Sequence, residues 1–292
     1  MLEKKRIQFI INPISGGKGK NNIPQLVKLY LNKDKFNYHF SFTEHVGHAQ
    51  KLASETLHAG TDIVVAVGGD GTINEVASAV AGTGKVMGII PCGSGNGLAR
   101  SLKIPLKKEH AIKKLNNLHT TYIDSATFNS RNFFNMAGIG FDAHISSVFS
   151  RERTRGFKGY IKTTLTEIAH YKSQHYLIEI DGKKIEREAF MLSIANSSQF
   201  GNNAHISPKA SLFDGLVDVC IIKPFPLYKF PLMGWHMFSK TAHHSRYVEI
   251  IKGRKLHIVR EKADAVHLDG EPVQMGKEID VEVIPHSVGI LI

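Results

Sequence analysis

The stretch from residue 63 to residue 100 constrains the fold of this chain more than any other part of the sequence. It contains two glycine-rich turns, each of which follows a short apolar run (63–67 or 86–90) and precedes a segment with helical spacing. Strand, glycine-rich turn and helix in succession are typical of a parallel sheet whose turns lie at one edge. That edge is where open α/β sheets bind their ligands.

The first turn, residues 68–72 (GGDGT), suits a phosphate group. Its three glycines bring bare N–H groups close to a bound group, and the following helix adds unpaired donors and a partial positive charge at its N-terminus. Asp70 places a carboxylate in this anion-binding loop, which favours a cation such as Mg²⁺ between Asp70 and the phosphates. The alternative is an ordinary Asp-Gly turn whose carboxylate bonds only its own backbone.

The second turn, residues 91–97 (PCGSGNG), repeats this donor-rich design and adds the Ser94 hydroxyl and the Asn96 amide. A third glycine-rich loop, residues 12–20, follows an apolar strand at 6–11, and Thr43 ends a strand at 38–42. Strands and helices alternate throughout this third of the chain, which predicts right-handed βαβ crossovers. We therefore expect the three loops and Thr43 to meet at one sheet edge.

Composition limits the partners of the protein. The 292 residues suffice for two domains, and no apolar run reaches the roughly 20 residues that a membrane span needs. Cys92 and Cys220 lie in no metal-ligand spacing, which fits a reducing compartment and predicts a cytoplasmic protein. The formal net charge of +11 indicates an anionic partner. Nucleic acid is the least supported partner, because zinc-finger spacing and RNP-type aromatic strands are absent from the sequence.

Beyond about residue 124 the pattern changes to strands with hairpin signals, such as the Asp181-Gly182 turn. Helical spacing is confined to two segments there, 157–171 and 226–242. The second part of the chain is therefore predicted to be a mainly antiparallel β domain, either a sandwich or a barrel.

Two motifs together resemble a known family. GGDGTINE at residues 68–75 with PCGSGNGLAR at residues 91–100 is similar to the diacylglycerol kinase catalytic-domain family, which includes bacterial lipid kinases and the sphingosine and ceramide kinases. GGDGT alone is shared with NAD kinases, whose second motif does not look like PCGSGN. The resemblance covers nearly the whole chain, through Asn12-Pro13 with Gly16 and Gly17, Thr43-Glu44, GIGFDA at 138–143, SPKASLFDGLVDV at 207–219 and DGEP at 269–272.

The resemblance implies an ATP-dependent lipid kinase that uses Mg²⁺. Its fold would be a doubly wound α/β nucleotide domain over residues 1–124, which segment 280–292 could complete, followed by a β-sandwich lipid domain over residues 125–292. The implied nucleotide-binding residues are Asn12, Pro13, Ser15, Gly16, Gly17, Thr43, Gly68, Gly69, Asp70, Gly71, Thr72, Asn74, Glu75, Gly93, Ser94, Gly95 and Asn96.

Two further sites are implied. The first is catalytic: either Glu271 or Asp269 would accept the proton of the lipid hydroxyl, and the other would join an acidic network reaching Mg²⁺ and Asp70. The residues alone favour a plain Asp-Gly hairpin at this position. The second is a structural metal ion bound by the Asp214 carboxylate and the main-chain carbonyls of Ser211 and Leu216.

Gly97 departs from the family pattern, since many bacterial members carry an acidic residue there. The network around Asp70 would then lack one carboxylate. Two alternatives stay open: an NAD kinase-like enzyme, motivated by GGDGT, and a nucleotide- or lipid-binding regulator without catalysis, motivated by Gly97. The acceptor lipid is also open. So is the oligomeric state, for which a homodimer is one alternative.

Residues 223–240 (KPFPLYKFPLMGWHMFSK) combine Trp235 with other aromatic and apolar residues, and lysines flank them. This composition is typical of a membrane interface. It predicts peripheral contact with the inner face of the membrane, where the lipid substrate would be presented. The alternative is that these side chains pack onto the β domain. A basic run at 151–162 is the second candidate surface, with Arg151, Arg153, Arg155, Lys158 and Lys162.

Overall fold

The computed structural model describes residues 3–15, 22–151 and 157–292. The strands are β1 (Lys5–Ile11), β2 (Phe36–Phe42), β3 (Ile63–Gly68), β4 (Val86–Pro91), β5 (Thr120–Phe128), β6 (Arg131–Phe133), β7 (Met136–Gly140), β8 (Gln174–Ile180), β9 (Lys183–Ala189), β10 (Met191–Ala195), β11 (Gln199–Gly201), β12 (Ala204–His205), β13 (Val217–Ile222), β14 (Val248–Gly253), β15 (Lys255–Arg260), β16 (Asp264–Leu268), β17 (Glu271–Met275) and β18 (Glu278–Leu291). The α-helices are α1 (Ile23–Tyr30), α2 (His48–His58), α3 (Asp70–Val80), α4 (Gly97–Ser101), α5 (Lys108–Leu115), α6 (Phe141–Arg151), α7 (Phe157–Glu167) and α8 (Phe230–Phe238). The chain divides into two compact units: Met1–Ile123 with His286–Ile292, and Asp124–Pro285.

The first unit is built on a parallel sheet in the order β2-β1-β3-β4. Strand β3 is buried along its whole length, as expected for a parallel strand that is covered on both faces. The last residues of the chain extend this sheet, because Gly289 and Ile290 of β18 pair in parallel with Val86 and Met87 of β4. The predicted α/β class is thus confirmed.

The strand order reverses between β1 and β3, and open α/β sheets usually bind ligands at such a reversal. From β1 the chain passes through α1 to β2 on one side, whereas β3 lies on the other side of β1. The strand ends are level, because Ile11 of β1 pairs with both Phe42 of β2 and Val67 of β3. The three glycine-rich loops and Thr43 therefore begin at the same edge, as the sequence predicted.

The second unit is a β-sandwich, which settles the sandwich-or-barrel alternative. One antiparallel sheet has the order β14-β13-β10-β7-β16-β17, and β18, β15, β8 and β9 form the other. Apolar side chains from the two sheets interleave in one core, among them Leu192, Val219, Ile178 and Ile258. The predicted Asp181-Gly182 hairpin is confirmed between β8 and β9, where both residues have positive φ.

Helix α6 was missed by the sequence analysis, which placed helices only at 157–171 and 226–242. Its sequence, FDAHISSVFSR, is rich in Ser, His and β-branched residues, which have low helix propensity. Burial of Phe141, Ala143 and Ile145 stabilises the helix instead. Tertiary packing of this kind cannot be read from a local pattern.

Candidate functional site

The two glycine-rich turns of the first unit touch each other through their backbones. The Cys92 N–H donates to the Gly68 carbonyl at 2.7 Å. A Cβ atom on Gly93 would lie only 2.7 Å from the Cα of Gly69, so a side chain does not fit there. These glycines are required by close backbone approach, which brings the N–H groups of both turns into one small region.

Asp70 joins the two turns. Its Oδ2 accepts the Asn96 N–H at 2.9 Å, and its Oδ1 accepts the Gly97 N–H at 2.7 Å. The second contact lies at the N-terminus of α4, where unpaired N–H groups favour a carboxylate. The suggestion that Asp70 bonds only its own backbone is therefore wrong, because its partners belong to the other turn. Gly97 contributes its main-chain N–H at the position where a family carboxylate was expected.

Asn96 fixes the shape of the second turn. It adopts the left-handed conformation (φ 52°, ψ 46°), and its side chain forms two bonds with the backbone of Gly93: Oδ1 accepts the N–H at 2.9 Å and Nδ2 donates to the carbonyl at 2.8 Å. Arg100 adds a bond from its Nε to the Gly95 carbonyl at 2.9 Å. The Ser94 hydroxyl group, by contrast, belongs to an exposed residue of this turn.

The loop after β1 is tied to the first turn. Asn12 donates from Nδ2 to the Thr72 hydroxyl at 3.1 Å, and its Oδ1 accepts the Ile14 N–H at 3.0 Å. Pro13 is exposed and Ser15 is half-buried. Gly16 and Gly17, which the family resemblance assigns to nucleotide binding, lie outside the described residues.

Glu75 and Thr43 link the sheet edge to its surroundings. The Glu75 carboxylate accepts the N–H groups of Gly47 and Ala49, both at 2.8 Å, and thereby caps the N-terminus of α2. Thr43 is buried, and its N–H donates to the Ile11 carbonyl at 2.9 Å. Glu75 thus has a structural role in this fold, while its part in nucleotide binding stays a prediction, as does that of Asn74 and Gly71.

In the second unit, the DGEP motif forms the turn between β16 and β17. Asp269 and Gly270 have φ angles of 50° and 92°, and Leu268 pairs with Glu271. The Asp269 carboxylate accepts three main-chain N–H groups, from Phe134 at 3.0 Å and from Asn135 and Met136 at 2.9 Å each. Asp269 therefore anchors the turn to the start of β7. Glu271 is the exposed carboxylate of the pair.

A buried polar cluster lies behind this turn and was not predicted as a site. His267 Nε2 lies 3.1 Å from Asp142 Oδ2, which also accepts the Ser193 hydroxyl at 3.1 Å. On its other side, His267 Nδ1 accepts the Gly270 N–H at 3.4 Å, so Nε2 carries the proton that points at Asp142. Ser146 donates to the Gly270 carbonyl at 2.6 Å. These contacts hold the turn from inside.

The sequence carried a signal for this cluster. GIGFDA contains Asp142, and the histidine directly precedes LDGEP, but the two motifs are far apart along the chain. Gly138, the first residue of this motif, leaves room for the Asp142–His267 contact. A Cβ on Gly138 would lie 2.1 Å from Asp142 Oδ2 and 2.4 Å from His267 Nε2.

Asp214, the carboxylate of the predicted metal site with Ser211 and Leu216, is paired with a lysine. Lys252 Nζ lies 2.7 Å from Asp214 Oδ2 and 3.2 Å from Oδ1 of the buried Asp218. Asp214 Oδ1 accepts the Leu216 N–H at 3.2 Å, and within the described ranges no cluster of three His, Cys, Asp or Glu side chains could hold a metal ion. An ammonium group neutralises the Asp214 carboxylate in this structure, and the metal site stays a prediction.

The charge environment of Lys252 agrees with this arrangement. Partial burial by itself would lower the pKa of the Lys252 ammonium, but the hydrogen bond to Asp214 and the charge of Asp218 outweigh burial and raise the pKa. Lys252 therefore carries its positive charge between the two carboxylates at neutral pH.

Comparison with known proteins agrees with this architecture. Residues 6–128 match the model of the diacylglycerol kinase catalytic domain, and residues 135–292 match that of the YegS C-terminal NAD kinase beta sandwich-like domain. A "Probable lipid kinase YegS-like" of Pseudomonas aeruginosa is 31% identical over 84% of this chain and 81% of its own length. The chain belongs to the YegS-like lipid kinase family.

One further relative and one solved structure are similar over nearly the whole chain. A "Probable lipid kinase YegS-like" of Pectobacterium atrosepticum is 26% identical over 98% of this chain and 96% of its own length. A crystal structure described as a diacylglycerol kinase from Bacillus anthracis superposes with a TM-score of 0.76 at 21% identity, covering 98% of this chain and 96% of the other. At this low identity, the similarity to the Bacillus anthracis structure shows a shared fold. The family resemblance predicted from the two glycine-rich turns is confirmed.

The contact between Gly69 and Gly93 gives a first prediction. Replacing Gly93 with Ala forces the two turns apart and should lower the free energy of unfolding by about 1–3 kcal/mol. Thermal unfolding followed by circular dichroism measures the loss. Gly276→Ala is the matched control, because no atom lies within 4 Å of the added methyl group. Equal stability of the two variants would contradict the backbone contact described here.

The Lys252 site gives a second prediction. Lys252→Met leaves the buried Asp218 without its cation and should lower the free energy of unfolding by about 1–3 kcal/mol. Lys255→Met removes a more exposed pair with Glu282 and should have a smaller effect. EDTA should leave the melting temperature of the unmodified protein unchanged. A melting temperature that falls on chelation and recovers with Mg²⁺ or Ca²⁺ would show that a metal ion, rather than Lys252, holds this loop.

Proposed function

We propose that this lipid kinase transfers the γ-phosphate of ATP to the hydroxyl group of a lipid such as diacylglycerol or a sphingoid base. The observation that carries the proposal is the joined pair of glycine-rich turns at the strand-order reversal, with Asp70 between them. Such a reversal is the usual ligand site of an open α/β sheet.

The residues of this edge fit ATP. The turns bring main-chain N–H groups to helix N-termini, where they bind phosphate well. Thr43, Thr72 and Ser94 contribute hydroxyl groups to the edge. The loop at 12–15 supplies Asn12 and Ser15 for the proposed nucleotide site. Phosphate bound here would keep its negative charge close to the positive ends of α3 and α4.

The donor set also fits Mg²⁺. The Asp70 carboxylate places two oxygen atoms where the two turns meet. Oxygen ligands are those that Mg²⁺ prefers. When bound, the ion would neutralise charge on the phosphates of ATP. The role that falls to the chain itself is to hold Asp70 in place through Asn96 and Gly97.

We assign the role of general base to Glu271 and a positioning role to Asp269. Glu271 is exposed at the start of β17, whereas the Asp269 carboxylate holds three N–H groups of its own unit. In the proposed reaction the lipid hydroxyl gives its proton to Glu271, its oxygen bonds to the γ-phosphorus of ATP, and ADP leaves as the bridging P–O bond breaks. His267 and Ser146 keep the turn in position through Gly270.

The roles of the two carboxylates can be separated by experiment. Glu271→Gln should leave the melting temperature unchanged and lower kcat by about 10²–10⁴-fold, the usual contribution of a general base. Asp269→Asn turns an NH₂ group toward main-chain N–H donors and should lower the melting temperature itself. The assay is transfer of labelled phosphate from ATP to lipid in mixed micelles with Mg²⁺. Full activity of the Glu271→Gln variant would remove the base assignment.

The same assay separates the lipid kinase from its alternatives. Thin-layer chromatography distinguishes phosphorylated lipid from NADP, so labelled NADP as the sole product would identify an NAD kinase. ATP binding without turnover on a panel of diacylglycerols, sphingoid bases and ceramides would support a regulator. The Gly97 N–H contact to Asp70 argues against the regulator, because this residue supports the Asp70 carboxylate even without a side chain.

A further inference from the structure

Helix α8 and the short 3₁₀ turn before it, Leu227–Lys229, carry an exposed apolar face. Tyr228 is 77% exposed and Trp235 is 60% exposed. We call this face the α8 surface and define it by five side chains: Leu227, Tyr228, Leu232, Trp235 and Phe238. Contiguous exposed apolar residues of this size are unusual on a soluble protein and mark a surface that meets a partner.

Packing onto the β-sandwich explains only the opposite face of α8. Phe230, Met233 and Met237 lie against the apolar cluster on the outer side of the β14-β13-β10-β7 sheet. Leu232, Trp235 and Phe238 recur at three-residue spacing and point the other way. Packing onto the β domain therefore accounts for one face of this segment, and the exposed face needs an occupant of its own.

The charges around the α8 surface favour an anionic occupant. The sequence contains no acidic residue from 219 to 248, and Lys229 and Lys240 lie just before and just after α8. Lys229 lies over the Tyr228 ring, with Nζ 5.5 Å from the ring centroid. Lys223, at the start of the segment, is paired with Glu249 at 2.9 Å. A lysine on either side of an apolar, aromatic face complements phosphate head groups above acyl chains.

We propose that the α8 surface docks the protein on an anionic phospholipid bilayer, with Trp235 and Tyr228 at the level of the head groups. Both rings have an apolar body and a polar tip, which suits the boundary between acyl chains and water. None of the helices in the described part of the chain has the length and apolar composition needed to cross a bilayer. Contact of this kind is therefore peripheral.

A second copy of the chain is the competing occupant. In a twofold-symmetric dimer the same patch meets itself, which would bring the lysines of the two copies together. Their repulsion disfavours this contact, whereas phosphate head groups neutralise it. In the basic run at 151–162, Arg153 and Arg155 lie outside the described residues. The same holds for the side chains of Arg151, Lys158 and Lys162.

Trp235 makes the test direct, because it is the only tryptophan of the chain. Vesicles of phosphatidylglycerol and phosphatidylcholine should shift its fluorescence to shorter wavelength and carry the protein into the pellet on sedimentation. Vesicles of phosphatidylcholine alone should bind at least tenfold more weakly, and added salt should weaken binding to the mixed vesicles. An unchanged spectrum with mixed vesicles would overturn the proposal.

Variants that keep Trp235 locate the contact. Leu232→Glu with Phe238→Glu should weaken binding to mixed vesicles at least tenfold, and the milder pair Lys229→Ala with Lys240→Ala should weaken it severalfold. Leu177→Glu is the matched control, since Leu177 is an exposed apolar residue on β8 of the same unit. Binding equal to that of the unmodified protein in both surface variants would place the contact elsewhere. A concentration-dependent shift without vesicles, together with a dimer in light scattering, would assign the surface to a second copy.

The docking surface depends on the proposed function in one respect only: it would give the kinase access to a lipid substrate in a bilayer. The Leu232→Glu, Phe238→Glu variant should keep its rate on a short-chain lipid in detergent micelles and lose rate on the same head group in vesicles. Vesicle binding by an inactive protein would refute the proposed kinase reaction and leave the docking surface standing. Activity in micelles without any vesicle binding would refute the docking surface alone.

Discussion

The contact on which the rest of the first unit depends is the pair of hydrogen bonds from the Asn96 and Gly97 N–H groups to Asp70. The two turns come from different strands and are connected by a whole helix and a strand. Asp70 adds a side-chain bridge to the backbone contact between Cys92 and Gly68. The carboxylate couples them at the point where α3 and α4 both begin, so the positive ends of two helices share one negative group. This arrangement explains why an acidic residue occurs in a loop made for anions.

The second unit contains a similar interaction between a turn carboxylate and main-chain N–H groups. A carboxylate in a tight turn accepts N–H groups from a distant segment, here Asp269 with the start of β7. The turn is also held from behind by the buried contacts of Asp142, His267 and Ser146. An isolated two-stranded hairpin is at best marginally stable in water, so its turn gains from support by other elements. Its neighbouring Glu271 is therefore presented by a rigid support, which matters for any group that must meet a substrate at a defined distance.

The sequence predicted the fold well because its signals are local. Apolar runs, glycine-rich turns and helical spacing alternate within a few residues of one another. Two family motifs in the same stretch indicated the same α/β fold. Helix α6 escaped because burial of Phe141 and Ile145, rather than propensity, holds it together. Contacts between distant residues escaped for a related reason. Nothing near Asp214 indicates that Lys252 reaches it, and nothing near Glu75 indicates that its carboxylate caps α2. The residue roles implied by the family resemblance therefore needed the structure, and the metal site at Asp214 stays a prediction.

Asn96 has a consequence for the energetics of ligand capture. By closing a ring with both polar groups of Gly93, it orders the second turn together with Asp70 and Arg100. A loop that must become ordered when its ligand arrives loses conformational entropy at that moment, and this loss weakens affinity. Here the ordering is completed during folding. At the proposed ATP site, less of the contact energy would therefore be lost in ordering the turn, and more would remain for holding the phosphates.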